Sequence, residues 1–525
     1  MLLSSLILLP IATALLVLLA PRGLAKPLAL LGALGTLALC GPLYTGFNPA
    51  AAGLQFTESY AWLPSLDISF SLGIDGIALA LLLLNNLLTP LVVLAAWREE
   101  RNSGAFMACL LGLAGLVNGV FAATDFILFY VFFEASLIPL YLLIGLWGGN
   151  QRVYAALKFF LYTFAGSVLM LVAGLYLGTQ AGTFDFTQWG ATAQALPLAA
   201  QVVLFGAFLA AFAVKIPMWP LHTWLPDAHV QAPTAGSVIL AGVLLKLGAY
   251  GLLRFNLPLF PEAVTLLAPY LLWAGAIAVV YAALVAWVQT DIKKLIAYSS
   301  VSHMGVVTMG LFSGTETGLH GALLIMINHG IVSAGLFLII GVMYERLHTR
   351  EMKNLGGLAA MMPAYAFALV VLMLAAVALP GTNGFVGEFL GLAGSFPSSP
   401  WATALATTGV IFGAVYMLVF TRAILFQAPS RFVTDHRAAC TDLSVREWGV
   451  FLPLLVLIPL LGVKPHLAMD LWRVPVEALT ASRVIQSEAK NRATREQRLR
   501  NPGLDEIGAS VSVNLISTTL TVSPS

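Results

Sequence analysis

Four ionisable residues lie inside runs of apolar side chains: Glu134 in FFEASLIPLY, Lys215 in AVKIPMWPLHTWLPDAH, Lys246 in AGVLLKLGAYG and Glu388 in ALPGTNGFVGEF. Two acids and two bases in apolar stretches suit the binding and release of protons. A charge within a membrane span costs at least ~2.5–3.5 kcal/mol, so each should face a bundle interior, a partner or water. Pro217 and Pro220 follow Lys215, and Pro380 and Gly381 precede Glu388. Proline removes an amide donor and breaks a helix, freeing carbonyls beside the charged group, and broken helices at membrane depth are a recurrent build of ion-transport sites. Pro139 similarly frees the carbonyl of Ala135 next to Glu134. Lys246 is a solitary base on an apolar helix, a setting that suits loading and releasing a proton. Asp227 stands near the first break. Histidine titrates close to neutrality and can carry protons onward. His329 is the first candidate because it lies mid-span with Asn328 and Ser333, followed by His303 and His222; His229, His320 and His348 complete the central set.

The elements that hold these residues follow from composition. Of 525 residues 59% are hydrophobic and 10% charged, far from the soluble mixture of roughly 45–50% apolar and roughly 25% charged. Apolar runs of spanning length occur near residues 2–21, 27–46, 76–97, 105–123, 124–147, 155–178, 200–229 with a break, 233–253, 266–288, 294–313, 317–344, 363–398 with a break, 402–426 and 447–466. The chain is therefore an all-α, polytopic membrane protein of about fourteen transmembrane helices, two of them broken, in the pattern of inverted repeats. The expected organisation is 1–123, N-terminal transmembrane helices; 124–426, a translocation core; 427–482, the last transmembrane helix and its flanks; and 483–525, a polar tail. The first apolar run lacks a basic segment before it, which favours an uncleaved span over a signal peptide.

Arg22, Lys26, Arg98, Arg101, Arg152, Lys158, Lys293, Lys294, Arg346, Arg350, Lys353, Arg422, Arg431, Arg437 and Arg446 all fall in odd-numbered connections; the even-numbered ones hold Arg254 alone. By the positive-inside rule the odd connections are cytoplasmic and both termini periplasmic, in a bacterial inner membrane. The tail basics Arg483, Lys490, Arg492, Arg495, Arg498 and Arg500 run against the rule. Cys40, Cys109 and Cys440 form no metal-ligand spacing, so no metal site is expected. The chain has no phosphate-binding GxxxxGK[ST] loop, no dinucleotide fingerprint and no nucleophile–base arrangement in a plausible pocket. An external reaction must drive it.

The segments FFEASLIPLYLLIGLWG (132–148), ALKFFLYTFAGS (156–167), VKIPMWPLHTWLPDAHVQAPTAGSVILAGVLLKLGAYG (214–251), DIKKLIAYSSVSHMG (291–305), NHGIVSAGLF (328–337), YERLHTREM (344–352) and LPGTNGFVGEF (379–389) together resemble the proton-conducting, antiporter-like family shared by respiratory complex I and multisubunit sodium/proton antiporters. The likeness is greatest to the M (chain 4) branch of complex I and runs from about residue 70 to residue 425. The resemblance implies a non-redox subunit of NADH:quinone oxidoreductase, a translocase, in which quinone reduction elsewhere drives proton pumping. It implies no cofactor in this chain, with NADH, FMN, iron–sulfur clusters and quinone in partner subunits. The neighbours it implies are other membrane-arm subunits, especially the L and N antiporter-like subunits, and not nucleic acid. On this resemblance Glu134 and Lys215 form the input pair, Lys246 is the central relay and Glu388, where related subunits carry lysine, faces the exit. The alternative is a subunit of a multisubunit sodium/proton antiporter; a structural scaffold is a third reading, and a membrane-bound hydrogenase or a photosynthetic relative of the complex is also compatible.

Overall fold

The protein is described here by a computed structural model covering residues 1–481; the expectations for the tail from Arg483 onward lie outside the described residues. In lipid no water is present to satisfy backbone amides, so apolar stretches of spanning length must close their hydrogen bonds internally as helices. In chain order these are α1 (Leu2–Leu19), α2 (Arg22–Gly46), α3 (Gly76–Ala95), α4 (Ser103–Ala122), α5 (Phe126–Trp147), α6 (Arg152–Ala181), α7 (Leu198–Lys215), α8 (Trp224–Gln231), α9 (Thr234–Leu259), α10 (Pro261–Trp287), α11 (Ile292–Phe312), α12 (Glu316–Leu347), α13 (Pro363–Ala376), α14 (Asn383–Ser395), α15 (Pro400–Thr421) and α16 (Val445–Val463). Thirteen helices among the described residues are long and apolar enough to cross a membrane. The shorter pair α13 and α14 supplies the remaining span of the expected fourteen.

One element departs from the all-helical expectation. Residues of the second connection form an antiparallel hairpin, β1 (Gln55–Leu63) with β2 (Ile68–Ile74), in which Tyr60 pairs with Phe70 and Glu58 with Leu72. The alternation Ile68, Phe70, Leu72, Ile74 with Ser69, Ser71 and Gly73 has the period of a strand.

Both expected helix breaks are present. α7 stops at Lys215 and α8 starts at Trp224, with a cis Trp219–Pro220 bond between them. The carbonyl of Val214, left free at the end of α7, accepts the indole N–H of Trp224 at 2.9 Å. The second break, between Ala376 and Asn383, turns through Ala378 (φ +56°) and Gly381 (φ +92°). Gly384 and Gly387, which follow the break, lie inside α14, where a Cβ would stand 2.1 Å from the Ala375 carbonyl and 2.9 Å from Ile325 respectively. Their role is close packing.

Arg254 also proves to be a helix residue: α9 runs to Leu259, past the boundary expected at 253. Its guanidinium makes a bidentate pair with Asp75, the N-cap of α3, under the Tyr250 ring at 4.8 Å. Burial pushes the Asp75 carboxyl up, but the Arg254 charge and hydrogen bonds, with the Ala78 and Ile77 N–H groups, hold it below the usual carboxylate range. Lys158, Lys293 and Arg346, expected in connections, are likewise within helices α6, α11 and α12. The outer helices α1, α2 and α6 expose apolar side chains, whereas the middle stretches of α9 and α12 are wholly buried. Those two central helices carry Lys246 and His329.

Candidate functional site

α9 is not a regular helix. It widens to i→i+5 turns at Leu240–Leu244 and again at Leu252–Asn256, a local feature frequent at functional sites. Lys246 follows the first wide turn, and its ammonium donates back to the Ala241 carbonyl. It also lies 2.9 Å from His329 Nδ1 on α12. The helices can approach this closely because Gly330 faces Gly242: a Cβ on Gly330 would stand 2.8 Å from the Gly242 carbonyl and 2.6 Å from Leu84. Small residues at a crossing are the usual means of close helix contact in lipid. With an ammonium donating to Nδ1, the imidazole proton of His329 sits on Nε2, which is buried without a protein partner.

From His329 the polar route continues. Its ring centroid is 5.6 Å from that of His303 on α11, and His303 Nδ1 is 2.7 Å from Glu388 Oε1 on α14. Both histidines and Glu388 line a cavity of about 30 Å³ together with Ser299, Asn328 and Ser333, room for about two waters. Asn328 donates to the Asn383 carbonyl at 2.6 Å and so fixes the start of α14 against α12. A second cavity of about 20 Å³ lies against His303 and Glu388 on the side of α10 and α15, bounded by Ser302, Gly409, Gly413 and Tyr416. The arrangement is a string of proton donors and acceptors, Lys246, His329, His303 and Glu388, crossing four helices.

The other expected residues are not joined to it. Lys215 is buried at 2% exposure, its ammonium has no hydrogen-bond partner, and it rests 4.5 Å from the centre of the Phe133 ring. Glu134 is half-buried on the face of α5 that exposes Val131 and Ile138, and one of its oxygens is also unpartnered. Expected to be a pair, the two residues stand within electrostatic reach of each other but not at ion-pair distance in this conformation, with Phe133 beside the ammonium. His222, in the break, packs edge-on against Tyr281 at 5.3 Å and lies near Tyr298, away from Lys246. Asp227 on α8 pairs with Lys158 at 2.7 Å. His229, in the last turn of α8, stacks on Phe337 of α12 at 4.5 Å, with neither ring nitrogen hydrogen-bonded within the protein.

Sequence reasoning missed three buried charges here. Lys293 donates to the Ala232 carbonyl at 2.5 Å, Arg346 pairs with buried Glu447 at 2.9 Å, and Arg254 meets Asp75. Each lies near a polar helix end, where hydropathy alone points to a connection. Among the described residues no group of three or more His, Cys, Asp or Glu is placed to hold a metal ion.

Residues 123–472 match the transmembrane family described as NADH:quinone oxidoreductase/Mrp antiporter. The NADH-quinone oxidoreductase subunit M of Rhodobacter capsulatus is 47% identical over 493 residues, 90% of this chain and 94% of that protein. A chain of respiratory complex I from Thermus thermophilus superposes with a TM-score of 0.84 at 36% identity, over 92% of this chain and 99% of that one. A chain of the Mrp complex from a Dietzia species shares the fold, with a TM-score of 0.79 at 21% identity over 99% of this chain and 60% of that one. The chain, a multi-pass membrane protein, thus belongs to the NADH:quinone oxidoreductase/Mrp antiporter transmembrane family.

Proposed function

We propose that the protein is a proton-translocating membrane-arm subunit of an NADH:quinone oxidoreductase, moving protons across the membrane while quinone is reduced in other subunits. The observation that carries this reading is the string Lys246–His329–His303–Glu388, whose one long step is flanked by a cavity of water size. Lys246 is the central relay, His329 and His303 pass the proton on, and Glu388 releases it. Protons arrive by way of Lys215, whose readiness to donate is set by the approach of Glu134. Glu134 is half-buried beside exposed Val131 and Ile138, a position that suits an acid answering to a neighbouring subunit. The related L and N antiporter-like subunits are the proposed neighbours. The charge distribution of the connections supports an orientation with the odd-numbered ones in the cytoplasm and the N-terminal end in the periplasm of a bacterial inner membrane.

The test is proton uptake by inverted membrane vesicles during NADH oxidation, with K246M and E388A compared with wild type at equal complex content. Both variants should assemble and lose proton uptake and coupled quinone reduction. Normal pumping in both assembled variants would overturn the reading. A sodium/proton antiporter would instead show proton movement that follows a sodium gradient with no NADH present.

A further inference from the structure

The half-helix α8 is tied down at both ends, at its start by the Trp224 indole on the Val214 carbonyl. Its N-terminus has no side-chain cap, whereas the last two carbonyls of α8 and that of its C-cap Ala232 each have a donor from a different part of the chain. Val230 O accepts from Arg350 Nη1 at 2.5 Å, Gln231 O from the Gly149 N–H at 2.9 Å, and Ala232 O from Lys293 Nζ at 2.5 Å. Free carbonyls at a helix C-terminus carry partial negative charge, so two cations there satisfy both the hydrogen bonds and the helix dipole. The cations are themselves fixed. Arg350 Nε lies 3.4 Å from Asp291, which caps α11 through the Lys293 and Lys294 N–H groups at 2.8 and 3.1 Å. Ile292 N donates to Arg350 O and Met352 N to Thr290 O, which ties the connection before α11 to the one after α12. Lys293 is 7% exposed, too buried for a solvated surface charge.

We infer that Lys293 and Arg350 are positioning residues for proton transfer: together they clamp the C-terminal end of α8, and through it hold His229 and the first helix break in register with Lys246. This rests on the proposed function. Because α8 follows an irregular stretch, the clamp decides its tilt, and that tilt sets the stacking of His229 on Phe337 and the Asp227–Lys158 pair. The clamp comes from the ends of α11 and α12, the helices that carry His303 and His329. Movement in the output half of the relay therefore reaches the break beside Lys215 through these two cations.

The experiment is hydrogen–deuterium exchange, with NADH-driven proton uptake, on the intact complex carrying K293M, K293R, R350Q or no substitution. K293M should speed exchange over residues 222–232 about tenfold, with no change over 103–122. Coupled turnover in K293M should fall about three- to tenfold through misplacement of α8. K293R should restore both, because a guanidinium keeps the charge and the donors. Should K293M fail to assemble, R350Q loosens the same clamp from its more exposed side and should give the same pair of effects. Unchanged exchange over 222–232 in K293M or R350Q would overturn the clamp whatever the pumping rate. Failure of K293R to assemble or to pump would overturn it too, since the charge is retained. Faster exchange with undiminished pumping would sink the proposed path and leave the clamp as a purely structural contact.

Discussion

The step from His329 to His303 is the one place where the output string relies on more than direct contact, and it separates a proton relay from a set of structural polar contacts. Two unit positive charges at the 2.9 Å separating Lys246 Nζ from His329 Nδ1 would repel by about 6 kcal/mol at an effective dielectric of ~20. The two groups therefore share one excess proton and cannot both hold one. That proton leaves only through Nε2 of the ring, across the cavity of about 30 Å³. Replacing the imidazole by alanine removes the ring but leaves a polar void, lined by Asn328, Ser299 and the Lys246 ammonium, which water can fill. Replacing it by leucine fills the same space with hydrocarbon and leaves Lys246 with the Ala241 carbonyl as its sole described partner. H329A should retain coupled turnover within a few-fold of wild type, whereas H329L should lose about tenfold or more, since losing a relay group costs about 10²–10⁴ in rate. Proton uptake per NADH oxidised, in vesicles matched for assembled complex, reads the contrast. Equal activity of H329A and H329L, or a more active H329L, would refute the argument that polar continuity at this point carries protons.

Three further substitutions follow from the same geometry. G330A must push α12 away from Gly242 and Leu84 by a few tenths of an ångström; stretching the Lys246–His329 contact should lower pumping more than assembly, measured as turnover against complex content. D75N leaves Arg254 buried without its partner and should destabilise the subunit by about 3–5 kcal/mol. The folded Asp75 carboxyl is held below its ordinary value, so the pair's contribution is fully present above the unfolded value of ~3.9 and fades as pH falls through the depressed folded one. The difference in thermal midpoint between wild type and D75N should thus stay level down to about pH 4 and shrink below it. E447Q, which removes the negative charge facing buried Arg346, should weaken docking of α16 and make the complex lose this subunit at lower detergent concentration than wild type.

Much of the fold is legible in the chain because the membrane leaves few alternatives. Apolar runs of spanning length must be helices, and Pro217 with Pro220, or Pro380 with Gly381, must interrupt them. The same reasoning fails at helix ends, where hydropathy falls although burial does not. Lys293 is the second residue of α11, at a polar end that reads as connection, yet it reaches Ala232 inside the protein. Arg254 was placed beyond its span because no local pattern shows that Asp75, 179 residues away, lies against it. The hairpin at 55–74 had a period-two signal that the weight of helical spans obscured. In the site, the individual groups Lys246, His329, His303 and Glu388 could be picked out as charges and histidines in apolar surroundings. Their order in space depends on which helices cross at Gly242 and Gly330, and that is a property of packing. Nor does any sequence periodicity announce the wide turn that lets Ala241 accept from Lys246, since one extra residue per turn merely rotates the helix face.

The two halves of the string differ in a way that bears on mechanism. From Lys246 to Glu388 each polar group has a polar neighbour within direct or single-water reach, whereas the Lys215 ammonium has no hydrogen-bond partner: it faces an aromatic ring, with Glu134 in electrostatic reach but not in contact. A buried ammonium with no hydrogen-bond partner is an expensive arrangement. The ring contact recovers only part of that cost, about 2 kcal/mol when desolvated. A small displacement that brings Glu134 or water to Lys215 would thus be strongly favoured. The element best able to make that displacement is the segment between Lys215 and Trp224, which lies outside the regular helices. On the proposed function, proton loading then requires motion at the first break while the output string needs little rearrangement. Proton uptake should accordingly be far more sensitive to restraint of the 216–223 segment, for example by a cross-link to α6 through Tyr162, which already meets Thr223 at 3.1 Å, than to an equivalent restraint between α11 and α14. Equal inhibition by the two cross-links, or none by the first, would show that loading does not depend on this break.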